Sequence, residues 1–221
     1  MENNDGLVPA FFCVPDITGF TRFIATADIN FTKNVIPSLL RKLIDANILK
    51  MKVGEIEGDA IFFYKTGRLP AISRVAEQCK AIYKTFSDFI LSVADSDPEN
   101  YEKHLANNQL GLKIIIHYGY ISSANIKGRT KLLGQDVIIA HKLLKNNVDE
   151  YNYVLLTDKY VAKIKDKTKL RELFHWDELR TGKEDYEYIG EVCYHYITLD
   201  EMNFMKDVPL MDVLKISKKT A

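Results

Sequence analysis

Two short stretches hold residue types suited to handling phosphate and metal. Asp16-Ile17-Thr18-Gly19-Phe20-Thr21 closes an apolar run at a glycine. A strand-to-helix junction of this kind leaves backbone N–H groups free for an anion, and a strand-end carboxylate can hold a cation beside them. The same pattern alone also describes a simple helix cap. Gly58-Asp59 supplies a second carboxylate, at the tip of an expected hairpin and just before another apolar run. Two carboxylates ~5 Å apart repel by ~3 kcal/mol at an effective dielectric of about 20. A divalent ion between them removes that cost and can bridge a triphosphate.

The elements that must position these residues follow from the hydrophobic pattern. Residues 10–17 (AFFCVPDI) form a buried strand ending on Asp16, and residues 20–27 begin a helix. Val35, Leu39, Leu40, Leu43 and Ile44 lie at helical spacing, with Pro37 placed in the first turn and Asn34 as the cap. Residues 49–56 and 60–64 are two strands around Glu57-Gly58-Asp59. A helical stripe runs from Ile72 to Val93, and the polar residues 95–109 are expected to form a loop. Residues 112–117 form a strand ending at Gly119, and Gly134 opens a helix to about Asn146. Residues 153–157 are a strand, 161–173 a helix, and 187–199 a strand, the second of a hairpin after Thr181-Gly182. This order gives an α+β fold, an antiparallel-rich sheet with helices packed on it.

Composition narrows the function classes. The chain has 221 residues, 47% of them apolar, enough for one well-filled core. Net charge is zero, so no general attraction to nucleic acid or an anionic membrane is expected. Cys13, Cys79 and Cys193 form no CxxC pair, which argues against zinc and disulfides and suits a cytoplasmic protein. The apolar stretch 9–15 is too short to span a membrane. His117 ends a buried strand and is read as a satisfied structural histidine; the other four histidines show no ligand spacing. Tyr186, Tyr188, Tyr194 and Tyr196 are read as packing a terminal strand.

Taken in order, DITGFT, EIEGDAIFFY, His117-Tyr118-Gly119 and Leu133-Gly134-Gln135-Asp136-Val137 resemble the class III adenylate and guanylate cyclase domains. The likeness runs from Phe11 to Asn146, with a weaker echo at residues 188–199. It implies a ferredoxin-like palm core over residues 8–200, an amphipathic tail at 201–221, and a homodimer with sites between subunits. It further implies Asp16, the Ile17 carbonyl and Asp59 as ligands of Mg²⁺ or Mn²⁺, and Thr18, Gly19, Phe20 and Thr21 as a phosphate cradle. Glu55 and Lys131 match the purine-selecting positions, with acid and base exchanged relative to adenylate cyclases.

The chain departs from the family where transition-state charge is handled. The expected Asn and Arg of the helix after Gly134 are Ile138 and Lys142, and the usual Lys-Gly pair falls at Ile189-Gly190. Isoleucine offers no hydrogen bond, and lysine keeps the charge of arginine but loses its planar fork. Each lost transition-state donor typically costs ~10²–10³ in rate. The resemblance therefore implies a metal-binding and purine triphosphate-binding homologue with degenerate catalysis, Lys142 being a weak replacement for the arginine. A working cyclase and a ligand-free dimerisation module are the alternatives. Glu55 and Lys131 either read a guanine, whose N1–H and N2–H₂ face the acid and whose O6 faces the base, or bind each other and plug the pocket.

Overall fold

Residues 10–17 lack strand alternation because they lie in the middle of a sheet covered on both faces. The computed structural model describes residues 6–106, 109–174 and 179–199. Strand β1 (Val8–Thr18) sends Phe11, Cys13 and Ile17 into one core and Ala10, Phe12 and Val14 into the other. The sheet runs β2 (Lys52–Glu57), β3 (Ala60–Thr66), β1, β4 (Gly111–Ile126), β6 (Tyr153–Thr157), β8 (Gly190–Thr198), β7 (Arg180–Tyr186). Strand β5 (Arg129–Leu133) pairs with β4 off this path. Every pairing is antiparallel except β4 with β6. The order β2-β3-β1-β4, with helices between β1 and β2 and between β3 and β4, is the expected ferredoxin-like palm.

The larger core lies under helices α1 (Phe20–Thr26), α2 (Ile29–Asp45), α3 (Ile72–Ser96) and α4 (Pro98–His104), joined by α6 (Asp158–Val161) and α7 (Lys167–Phe174). Helix α3 buries Val75, Cys79, Ile82, Phe86, Phe89 and Val93, the stripe read from the sequence. On the opposite face α5 (Gln135–Lys142) packs Val137, Ile139 and Ala140 against Phe12, Phe62 and Ile115.

Five expectations need correction. Helix α2 starts at Ile29, capped by Asp28, so Pro37 sits inside it and Asn34 is not the cap. Pro37 and Lys33 are both exposed, so the Lys33 carbonyl that Pro37 cannot bond faces water. The polar segment 95–109 contains α4: Asp97 accepts from the Asn100 N–H and Pro98 occupies the first turn, where a missing N–H costs nothing. Strand β4 passes Gly119 and continues to Ile126, turning back into β5 at Lys127-Gly128. The segment 161–173 is split between α6 and α7. Thr181 and Gly182 lie within β7, and the hairpin turn falls at residues 187–189. The expected tail, 201–221, lies outside the described residues.

Candidate functional site

Pro15 opens the sheet where the two aspartates meet. Pairing of β1 with β3 stops at Cys13↔Phe63, while pairing with β4 continues to Thr18↔Gly111. By strand alternation the backbones of Pro15 and Ile17 face the same neighbour, and Pro15 has no N–H to offer. The Ile17 N–H instead donates to Asp59 Oδ2 at 3.1 Å. Asp59 reaches it from the two-residue turn between β2 and β3, where Gly58 takes φ 61°, as such turns require. Phe20 packs beside Gly58, so the turn after Asp16 and the hairpin tip are in contact.

The two carboxyls are neighbours. Asp16 is buried, at 8% exposure. Burial, then the charge of Asp16 and a hydrogen bond between the two carboxyls, push Asp59 up to about 7. Thr18, two residues after Asp16 and so on the same face of β1, has its Oγ1 buried with no hydrogen-bond partner among the described residues. Two adjoining carboxyls are hard oxygen donors of the kind that suits Mg²⁺ or Mn²⁺. No group of three or more Asp, Glu, His or Cys side chains gathers as a metal cage among the described residues. Mg²⁺ sites take one or two carboxylates and complete the shell with water and phosphate.

One further group enters this site. Lys113 stands directly opposite Asp16 in the β1–β4 register, and its Nζ lies 2.8 Å from Asp16 Oδ2. The same nitrogen donates to the Leu144 carbonyl at 2.6 Å.

The expected purine-selecting pair forms a second cluster. A bulge at Gly54 shifts the β2–β3 register so that Glu55 lies opposite Phe62 and Glu57 opposite Ala60. Without it Glu55 would oppose Ile61 and point to the other face. Lys131 on β5 donates to Glu55 Oε2 at 3.2 Å. His141 on α5 bridges the acids, with Nε2 2.8 Å from Glu55 Oε1 and Nδ1 3.1 Å from Glu57 Oε2. Its ring stacks on Phe62 at 4.4 Å between centroids and 9° between planes.

The remaining positions are structural or altered. His117 is fully buried: Nδ1 meets Thr157 Oγ1 at 2.8 Å and Nε2 meets Asp136 Oδ1 at 3.1 Å. Asp136 also accepts from the Tyr120 N–H at 2.8 Å and from Lys159 at 2.7 Å. Burial pushes the Asp136 carboxyl up, but these donors outweigh it and hold it well below the usual range. A side chain at Gly119 would overlap Asp136, which is why a glycine follows His117-Tyr118. Lys142 Nζ sits 5.1 Å over the Tyr186 ring, Ile138 is half exposed, and Ile189 lies in the β7–β8 turn.

Sequence reasoning missed Lys113, His141 and Gly54, and it named Thr18 without foreseeing its orphaned hydroxyl. The first two are visible only once register is known. Gly54 inside a strand was a readable bulge signal.

Comparison with solved structures defines the fold as that of the class III nucleotidyl cyclase domains. Adenylyl cyclase CyaB from P. aeruginosa matches with a TM-score of 0.52 at 11% identity, over 86% of this chain and 94% of that one. The guanylate cyclase domain of RhGC from Catenaria anguillulae, in complex with GTP, gives 0.53 at 14% over 86% and 96%. The non-canonical dimeric guanylyl cyclase domain of RhoGC from Blastocladiella emersonii gives 0.52 at 14% over 86% and 96%. The chain itself belongs to the family described as protein of unknown function (DUF2652), whose model matches residues 36–153. It is 30% identical over 171 residues to the uncharacterized protein Rv2561/Rv2562 of Mycobacterium tuberculosis, covering 77% of this chain and 76% of that protein. No helix among the described residues is long and apolar enough to cross a membrane.

Proposed function

We propose that this protein is a homodimeric cyclase homologue that binds a purine nucleoside triphosphate with Mg²⁺ or Mn²⁺ and acts as a regulatory receptor without rapid turnover. The observation that carries the reading is the Asp16–Asp59 pair at the break beside Pro15, with Thr18 Oγ1 unpartnered on the same face of β1. Asp16, Asp59 and the Ile17 carbonyl hold the ion, which when bound neutralises phosphate charge. Thr18 to Thr21 receive the phosphates. Degeneracy rests on Ile138, Lys142 and Ile189, which replace an amide, a planar cation and a lysine of the related enzymes.

The base site is guanine-like in polarity, with Glu55 accepting and Lys131 donating. In the free chain both are satisfied by each other and by His141, so a base must displace these contacts to enter. Exposed apolar side chains on the same elements (Val53, Ile56, Leu133 and Ile138), and Ile126 at the end of β4 beside β5, support a partner surface around this cluster. Structural neighbours with GTP bound and with a dimeric cyclase domain support the same reading.

Isothermal titration with non-hydrolysable GTP and ATP analogues, each with Mg²⁺ and with Mn²⁺, tests the proposal. Metal-dependent binding that favours GTP, weakens in Asp59→Asn and loses its preference in Glu55→Ala is expected. Absence of binding by either nucleotide under all conditions would leave the ligand-free dimerisation module in its place.

A further inference from the structure

Lys113 has no place in the reading above, yet its position is fixed more firmly than that of most surface lysines. Register puts it opposite Asp16, where facing residues share one face of the sheet. Its side chain is 15% exposed. Two of the three ammonium donors are directed, one to Asp16 Oδ2 at 2.8 Å and one to the Leu144 carbonyl at 2.6 Å. The chain therefore supplies its own cation to the carboxylate pair.

We propose that Lys113 is the resident counter-ion of the Asp16–Asp59 pair and sets its selectivity, keeping bare divalent cations out. This rests on the reading of that pair as a metal site. An ion bridging the two carboxylates must either displace the ammonium from Oδ2 or sit within a few ångströms of it, and like charges at that distance repel strongly in a partly buried site. The Leu144 carbonyl also holds the ammonium, so it cannot swing into solvent without losing a second, partly buried hydrogen bond. A cation that arrives already bound to a polyphosphate brings anionic oxygens that offset this repulsion; a bare cation does not. The site is thereby biased toward the metal–nucleotide complex.

Loss of the free Mn²⁺ signal in electron paramagnetic resonance measures binding of the bare ion. The full chain is compared with Lys113→Met, Lys113→Arg and the double variant Lys113→Met/Asp16→Asn. Lys113→Met should bind Mn²⁺ at least about tenfold more tightly than wild type, since a nearby unit charge at low effective dielectric exceeds that factor. Lys113→Arg keeps the charge and should stay as weak as wild type, and the double variant should lose the gain. Circular dichroism checks folding, and Lys113→Gln, which keeps a donor for Leu144, replaces Lys113→Met should that variant unfold. Mn²⁺ binding by the neutral variants no tighter than wild type overturns the counter-ion role. If that binding is still abolished by Asp16→Asn, the pair remains a metal site and only the role of Lys113 fails. If no variant binds Mn²⁺ with or without a GTP analogue, the metal reading itself fails, and the inference with it.

Discussion

Gly119→Ala asks whether the glycine after His117-Tyr118 exists to seat a carboxylate. A methyl group there would occupy the space of the Asp136 carboxyl. Asp136 would have to leave, giving up its contacts with His117 Nε2 at 3.1 Å and the Tyr120 N–H at 2.8 Å. The Lys159 contact is half exposed and adds little. Losing hydrogen bonds to a charged group costs ~1.5–3 kcal/mol each, and His117 would be left buried without a partner at Nε2. Together these predict a loss of ~3–5 kcal/mol, the range seen when one partner of a buried pair is removed. Urea unfolding of Gly119→Ala, Asp136→Gly and the double variant measures it. Once Asp136 is glycine the obstruction is gone, so the alanine should add less than ~1 kcal/mol and the coupling should exceed ~2 kcal/mol. A single-variant loss below ~1 kcal/mol, or strictly additive losses, would refute the reasoning.

The same carboxylate gives a pH prediction. A carboxyl depressed in the folded state contributes stability above its unfolded pKa of ~4 and loses it as pH falls further. Wild-type stability to urea should therefore decline more steeply below pH ~4 than that of Asp136→Asn. On catalysis, wild type with Mn²⁺ should form little or no cyclic nucleotide, and Ile138→Asn with Lys142→Arg should raise whatever rate exists; wild-type turnover near ~10 s⁻¹ would end the degenerate reading. Light scattering at high micromolar concentration should report two chains, shifting toward one in Ile56→Glu/Leu133→Glu; a wild-type monomer would remove the dimer.

The sheet was legible because its central strands are unambiguous, residues 10–17 and 112–117 being too apolar to lie anywhere but in the middle of a sheet, whereas the palm topology came from the family resemblance alone. The helical stripe of α3 was equally plain. Polar breakers were less so. Asp97-Pro98 reads as a loop or as a helix start, and only the Asn100 N–H bonded to Asp97 decides for the helix. Asp16 and Asp59 stood out because turn chemistry flags strand ends. Lys113 did not, since a lysine in an isoleucine-rich strand becomes informative only when its cross-strand neighbour is known. His141 was invisible for a related reason: its partners are 84 and 86 residues away in sequence.

The break at Pro15 has a spectroscopic consequence. The Ile17 amide is bonded to a side chain where strand pairing would otherwise supply a carbonyl, and that side chain is the one assigned to the ion. Any ligand that draws Asp59 away must alter this amide's shift and its rate of exchange with deuterium, while the Cys13–Phe63 ladder four residues earlier stays protected. One resonance in a ¹⁵N-labelled sample thus becomes an occupancy gauge for the centre, usable without substrate, turnover or a labelled ligand.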